Sequence, residues 1–237
     1  FSNGTGNWND SFSYLLNVLN HLSTLDSAPA TITQSSATSL PYPDDFFDAV
    51  FTDPPYYYNV TYADLSDFFY VWLKRSIGDY YADLFSTPLT PKSNEIIEGS
   101  FWDSTRYKEK NQLWFEQMLT KAFREIHRVL KPDGITTVVY AHTSTAGWET
   151  LINSLLDSSL IVTSAWPIHT EMKERLMAKE SAALASSIYI VARKMARKPT
   201  VFYTNVQEEI RQYLNKKLER LWQEGIGGAD FFIAAIA

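Results

Sequence analysis

Apolar residues recur at helical spacing at Trp8, Phe12, Leu15, Leu19 and Leu22, which predicts an amphipathic helix over about residues 8–24. Weak alternation over 30–37 suggests a short strand, and Pro41, Pro43, Asp44 and Asp45 form a turn. Asp48 to Thr52 is a short apolar run ended by Pro54 and Pro55, as expected of a buried strand that meets residues unable to donate to a ladder. Residues 61–77 are dense in aromatics, Tyr62, Phe68, Phe69, Tyr70 and Trp72, with Leu65 and Leu73 completing a helical face, and we expect Phe68, Phe69 and Trp72 in the core. Residues 78–108 lack periodicity and read as a long loop or lid, a length that is uncommon in compact domains without a function. A long helix over 109–130 ends at Lys131-Pro132-Asp133-Gly134, a turn sequence. Strands over 135–141, 160–166 and 186–192, a helix over 146–157 and a charged helix over 205–223 follow. Alternation of this kind points to an α/β sandwich around a mainly parallel sheet, although no long helix is evident before residue 186.

Composition narrows the classes. Apolar residues make up 45% and charged residues 20%, as in folded globular chains rather than disordered ones. No apolar run reaches the roughly 18 residues of a membrane span, so no membrane partner is expected. The absence of cysteine excludes disulfides, thiolate metal sites and a cysteine nucleophile within this sequence, and permits the cytoplasmic location we expect. Twenty-seven acidic against twenty-one basic residues give a net charge of −6, which argues against nucleic-acid binding through bulk charge but not through one local groove. The sequence begins at Phe1 and closes on the apolar stretch Phe231 to Ala237, and we expect it to be a piece of a longer chain.

The sharpest chemical signal is Asp53-Pro54-Pro55-Tyr56 at the carboxyl end of the first strand, where open α/β sheets bind ligands. Two prolines fix the backbone and remove two donors, so a carboxylate, a free carbonyl and an aromatic ring share one rigid turn. That set suits a planar base with an exocyclic amino group: two acceptors for its N–H bonds and a ring for its face. The bland alternative is a proline turn in which Asp53 caps an amide and Tyr56 packs.

The motif resembles the Asp-Pro-Pro-Tyr signature of S-adenosylmethionine-dependent amino-methyltransferases, and the stretch from Asp48 to Arg75 resembles a family of large prokaryotic adenine-specific DNA methylases. The resemblance continues through Arg128 to Gly134, Tyr140 to Thr143 and Trp166 to Glu171. It implies a Rossmann-like methyltransferase sheet in a three-layer α/β sandwich, with S-adenosylmethionine as cofactor and DNA as partner. Further restriction-modification or defence subunits are implied as well. The target base would be flipped from its duplex. Asp53 and the Pro54 carbonyl would accept from the target amino group, Pro55 would hold the turn and Tyr56 would stack on the base. Transfer would then be direct, driven by positioning and electrostatics.

The family's Phe-x-Gly-x-Gly cofactor loop has no counterpart in a suitable place. Gly4 and Gly6 follow no strand, Gly225, Gly227 and Gly228 follow a helix, and Ser35-Ser36-Ala37 offers no carboxylate where an acidic residue is common. The sequence therefore resembles the catalytic half of such an enzyme, incomplete at its N-terminal, cofactor-binding half, and assigns no cofactor-binding residue. We expect a partial catalytic domain over 1–195 and a helical extension over 196–237.

His142 and His169 fall at strand ends on the sheet edge of Asp53. With Glu171 they are candidates to line the pocket or support the 78–108 loop; their spacing matches no metal motif, and no metal is expected. Tyr57, Asn59 and Tyr62 are candidate substrate contacts beside the motif, with Tyr58 between them. Arg193, Lys194, Arg197 and Lys198 form a basic run that suits either phosphates or a solvated linker. Two other readings remain open: methylation of RNA guanine or protein glutamine, and a non-catalytic nucleic-acid-binding or scaffolding module.

Overall fold

Pairing of the first strand with the second organises the sheet, and the sequence between them supplies the means. In the computed structural model, which describes residues 7–25, 28–57, 60–100, 103–142, 145–169, 186–195 and 203–224, strand β1 spans Phe47–Thr52 and strand β2 spans Leu130–Tyr140. Ala49, Val50, Phe51 and Thr52 lie opposite Ile135, Thr136, Thr137 and Val138 in parallel register. Phe47 pairs instead with Leu130, so Lys131-Pro132-Asp133-Gly134 loops out of the ladder. The expected turn thus sits inside the strand's span, as an irregularity in β2.

The chain divides into two compact units, Phe1–Ser35 and Ser36–Ala237. In the first, helix α1 (Trp8–Ser23) starts at Asn7, whose side chain accepts from the Asp10 amide at 3.0 Å as an N-cap. The expected strand over 30–37 is replaced by irregular backbone and a single bridge between Ser36 and Ser39.

In the second unit the order along the chain is β1, α2 (Tyr62–Ile77), α3 (Gln112–Val129), β2, α4 (Thr145–Asp157), β3 (Leu160–His169), β4 (Ser186–Lys194) and α5 (Tyr203–Gln223). The strands lie in the order β1-β2-β4-β3. The β1–β2 ladder is parallel and β4 is antiparallel to both β2 and β3, so β1, β2 and β3 run in one direction and β4 against them. The sheet is therefore mixed, with three strands in one direction and β4 reversed. A strand running in the same direction needs a crossover long enough for a helix, and α3 before β2 and α4 before β3 provide two such crossovers.

Helices α3 and α4 cover one face of the sheet. Phe115, Leu119, Phe123 and Ile126 of α3 and Trp148, Leu151 and Leu155 of α4 close over Val138, Tyr140, Leu160, Ile188, Ile190 and Ala192. Among the described residues the third layer of the expected sandwich lies along β3, where α5 places Arg220 5.5 Å over the Trp166 ring and buries Leu221. Over β1 no described helix covers the second face, and Phe51 touches Tyr189 but stays 66% exposed. No helix among the described residues is long and apolar enough to cross a membrane.

Arg128, at the end of α3, fixes the segment that leads into β1. Its guanidinium donates to Asp44 and the Tyr42 carbonyl at 2.8 Å, to the Leu40 carbonyl at 3.0 Å and to both oxygens of Glu125 at 2.9 Å. Glu125 in turn accepts from the Leu40 amide at 2.8 Å. Five planar donors suit this cluster where a lysine's point charge would not. Arg128→Lys is therefore expected to lower the melting temperature although the charge is kept, as read by circular dichroism. An unchanged melting temperature would show that the fork geometry is dispensable.

Candidate functional site

The motif turn emerges where β1 stops. Thr52 is the last paired residue, Pro54 is buried, and Asp53 is exposed at the strand's carboxyl end. The Tyr57 amide closes the turn on the Pro55 carbonyl at 3.0 Å. The Tyr56 hydroxyl hydrogen-bonds the Asp53 carboxylate; burial first, and this bond second, push the phenol's pKa well above its ordinary value. Its ring meets Tyr140 edge-on at 5.5 Å. A carboxylate accepts through about four lone-pair directions, so one bond from Tyr56 leaves Asp53 able to accept from a ligand.

A cavity of about 340 Å³ opens at this turn, lined by Asp53, Pro55, Tyr56, Tyr62 and Glu95. Tyr62 opens helix α2, and its phenol is also raised, chiefly by burial and then by the charges of Asp53 and Glu95. The structure thus brings together Asp53, Pro55, Tyr56 and Tyr62 from the sequence-predicted set. Pro54 lies beneath the cavity rather than in its lining.

Other candidates lie elsewhere. The Tyr57 ring is only 8% exposed, set edge-on to Phe115 at 5.2 Å and to His142 at 5.7 Å, and so serves the core instead of stacking on a substrate. Its φ of 57°, rare for a bulky residue, turns the chain from the motif into that core. His142 is 1% exposed rather than lining the pocket. Its ring lies against Tyr140, and its carbonyl accepts from the Trp148 indole at 2.9 Å. Asn59 and Glu171 fall outside the described residues; His169 ends β3, and only its backbone is described. In the basic run, Arg193 donates to the Asp133 carbonyl at 2.8 Å and Lys194 pairs with Asp45 at 2.6 Å, so both serve the fold, and Arg197 and Lys198 fall outside the described residues.

No protein-family model and no curated protein matches the chain. Solved structures similar to it include a candidate DNA modification methylase from Thermus thermophilus, at 16% identity and a TM-score of 0.35 over 70% of this chain and 53% of that one. The cyclase SpnF matches at 16% and 0.35 over 70% and 57%. A SAM-dependent methyltransferase from Methanosarcina mazei matches at 12% and 0.35 over 73% and 71%. The chain spans little more than half the length of the first two.

Glu95 is the cavity residue that sequence reasoning missed. It stands in the aperiodic 78–108 stretch, where the only signal was an apolar pair, Ile96-Ile97, between two glutamates. That pair anchors the loop: Ile97 is buried, and the Glu98 amide donates to the Tyr57 carbonyl at 3.2 Å. Instead of a free lid, the stretch is a tied one. Lys110 is buried at its far end, with its ammonium donating to the Lys92 and Glu95 carbonyls and lying 4.9 Å over the Trp114 ring. Burial lowers the Lys110 pKa.

The loop is bound to the polar side of α2. Asp67 pairs with Lys92 at 2.5 Å and accepts from the Thr90 amide at 2.9 Å and hydroxyl at 2.6 Å. Asp64 takes the Tyr107 hydroxyl at 2.9 Å and Arg106 at 3.2 Å. The aromatic side expected in the core faces outward, with Phe68, Phe69 and Trp72 at 66%, 64% and 59% exposure.

Two outcomes test this arrangement. A methyl group on Gly147 would come within 2.5 Å of the His142 ring, so Gly147→Ala is expected to cost about 1–3 kcal/mol in urea denaturation, as overpacking does. The Lys92 and Thr90 hydrogen bonds hold the Asp67 carboxyl at about 2, below its ordinary 3.8. A depressed acid stabilises the fold above its unfolded value and loses that contribution as pH falls through the folded one. Stability should therefore drop between pH 3.8 and about 2, and Asp67→Asn should remove that part of the pH dependence in acid titrations followed by fluorescence.

Proposed function

We propose that this chain is the acceptor-binding, catalytic part of an S-adenosylmethionine-dependent amino-methyltransferase acting on adenine in DNA. The observation that carries the reading is a carboxylate, Asp53, held at the carboxyl end of β1 at the mouth of a cavity with two tyrosine rings. A flat base enters between the rings. Asp53 accepts one proton of its exocyclic amino group, and the Pro54 carbonyl is the second acceptor that the motif offers. Both bonds draw the amino nitrogen towards pyramidal geometry and turn its lone pair out of the ring plane, which is the positioning that direct transfer requires. The resemblance of Asp48 to Arg75 to adenine-specific DNA methylases supports adenine over other planar amino groups. A groove of about 420 Å³ is lined by Lys92, Arg106, Lys108 and Glu109; Lys92 and Arg106 are paired with Asp67 and Asp64, and Lys108 carries a further positive charge of the kind that a phosphate strand needs.

S-adenosylmethionine would supply the methyl group. The described residues do not form a cradle for it. Gly99, Gly134 and Gly147 are each taken up by close contact with Tyr107, Leu130 and His142, and Gly78 caps α2. No step is therefore assigned to cofactor-binding residues of this chain.

Asp53→Ala in the complete protein is expected to abolish methyl transfer to adenine-containing DNA while leaving the melting temperature nearly unchanged, because Asp53 is exposed. The measurement is transfer of a labelled methyl group from S-adenosylmethionine beside a thermal melt. Full activity in the variant would overturn the mechanism. DNA binding without transfer by the unaltered protein would favour a non-catalytic module.

A further inference from the structure

The layer that α5 adds along β3 holds a pocket of about 210 Å³ that shares no residue with the cavity at the motif turn. Strands β1 and β3 form opposite edges of the sheet, so the two places are separate in the fold. Tyr213, Lys217, Arg220 and Glu224 follow one another at helical spacing and present one side of α5 to this pocket. Ser164 and Trp166 answer from β3, beside Thr163, the residue left over where the register with β4 shifts.

The charges here do not balance. Glu224 is committed to Arg220, its carboxylate accepting from Nε at 2.8 Å, and the same guanidinium lies over the Trp166 ring. Lys217 has no acid of its own. Among the described residues its ammonium makes no ion pair or hydrogen bond, and burial alone moves its pKa, downward. A lysine whose stem merely lies on apolar surface keeps its head in water; this one has lost part of that water and gained no partner. With Arg220 and Glu224 offsetting one another, the pocket is left with one positive charge. Arg220 adds donors as well, since Nε serves Glu224 and its two terminal nitrogens remain available. The rings of Trp166 and Tyr213 give the wall flat apolar surface.

We propose that the pocket between β3 and α5 is a binding site for a small, singly charged organic oxyanion carried on a flat ring. The oxyanion meets Lys217 and the terminal nitrogens of Arg220, with the Ser164 hydroxyl as a further donor, and the ring lies against Trp166 and Tyr213. The volume suits one ring with its acid group, and one net positive charge suits a carboxylate or a phosphodiester. The site is independent of methyl transfer and of the reading of Asp53.

The full chain is titrated by calorimetry at neutral pH with benzoate and with benzamide, its uncharged counterpart of similar shape. The unaltered chain is expected to prefer benzoate by about tenfold or more, the size of a charge-assisted hydrogen bond. Lys217→Met keeps the packing of the stem and removes the charge. It should erase that preference without lowering the melting temperature, because a half-buried charge with no partner does not help the fold. Acetate, which is charged but has no ring, should bind more weakly than benzoate. Methyl phenyl phosphate, a singly charged diester with the same ring, is the second anion. Tighter binding than that of benzoate assigns the pocket to phosphodiesters, as in a nucleic-acid strand, and weaker binding assigns it to free carboxylates; both results keep the site. Failure of both ring-bearing anions to bind overturns the proposal. So does benzamide or acetate binding as tightly as benzoate, or an anion preference that survives Lys217→Met undiminished.

Discussion

The parallel ladder between β1 and β2 stops at Thr52, and the candidate site exists because it stops there. Thr52 lies opposite Val138, and the two prolines after Asp53 have no N–H with which to extend the pairing. The chain must leave the sheet at that point, and it leaves with a carboxylate outside and Pro54 buried. Register upstream makes this placement specific. Arg128 ties the residues before β1 to the end of α3, and the bulge at 131–134 absorbs the extra length of β2, so the strand cannot slip without breaking several hydrogen bonds at once. A slip of one residue would also turn Val50, which packs on the core, to the uncovered face.

Helix α2 inverts the usual rule for an amphipathic helix. Its inward side is the charged one, because a long loop must be held and a loop offers backbone groups and polar side chains rather than an apolar surface. Asp64, Asp67 and Tyr70 grip Tyr107, Thr90 and Thr87 respectively. The aromatic stripe is left facing outward, a surface of the kind that monomeric proteins seldom expose. The buried Lys110 completes the arrangement from the other end, donating to two loop carbonyls.

What the sequence made legible was local. The stop of β1, the amphipathic pattern of α3 and the turn chemistry at 131–134 each follow from a few neighbouring residues, and each stands close to where expected. Strand direction was less visible, since it depends on how chain segments return, and a short apolar run such as 186–192 reads the same in either direction. The outward face of α2 was misread because periodicity shows that a helix has two sides, but not which partner each side meets. His142 and Tyr57 stand apart in sequence and were both expected at the pocket, yet the positive φ at Tyr57 and the closeness of Gly147 to the imidazole direct both rings into the core. Glu95 lay in a stretch with no period at all, and only the folding of the loop brings it to the cavity that Asp53 also lines.

Strand β1 is paired on one side only among the described residues, with its other edge and the face around Phe51 uncovered. Such an edge is a template for any other extended chain, and proteins commonly blunt it with charge. Here one charged side chain, Asp48, stands on the strand, and Lys131 at 2.6 Å offsets it. Handled alone at high concentration, this polypeptide would then be prone to self-association along β1. Any strand that occupies the edge would relieve it.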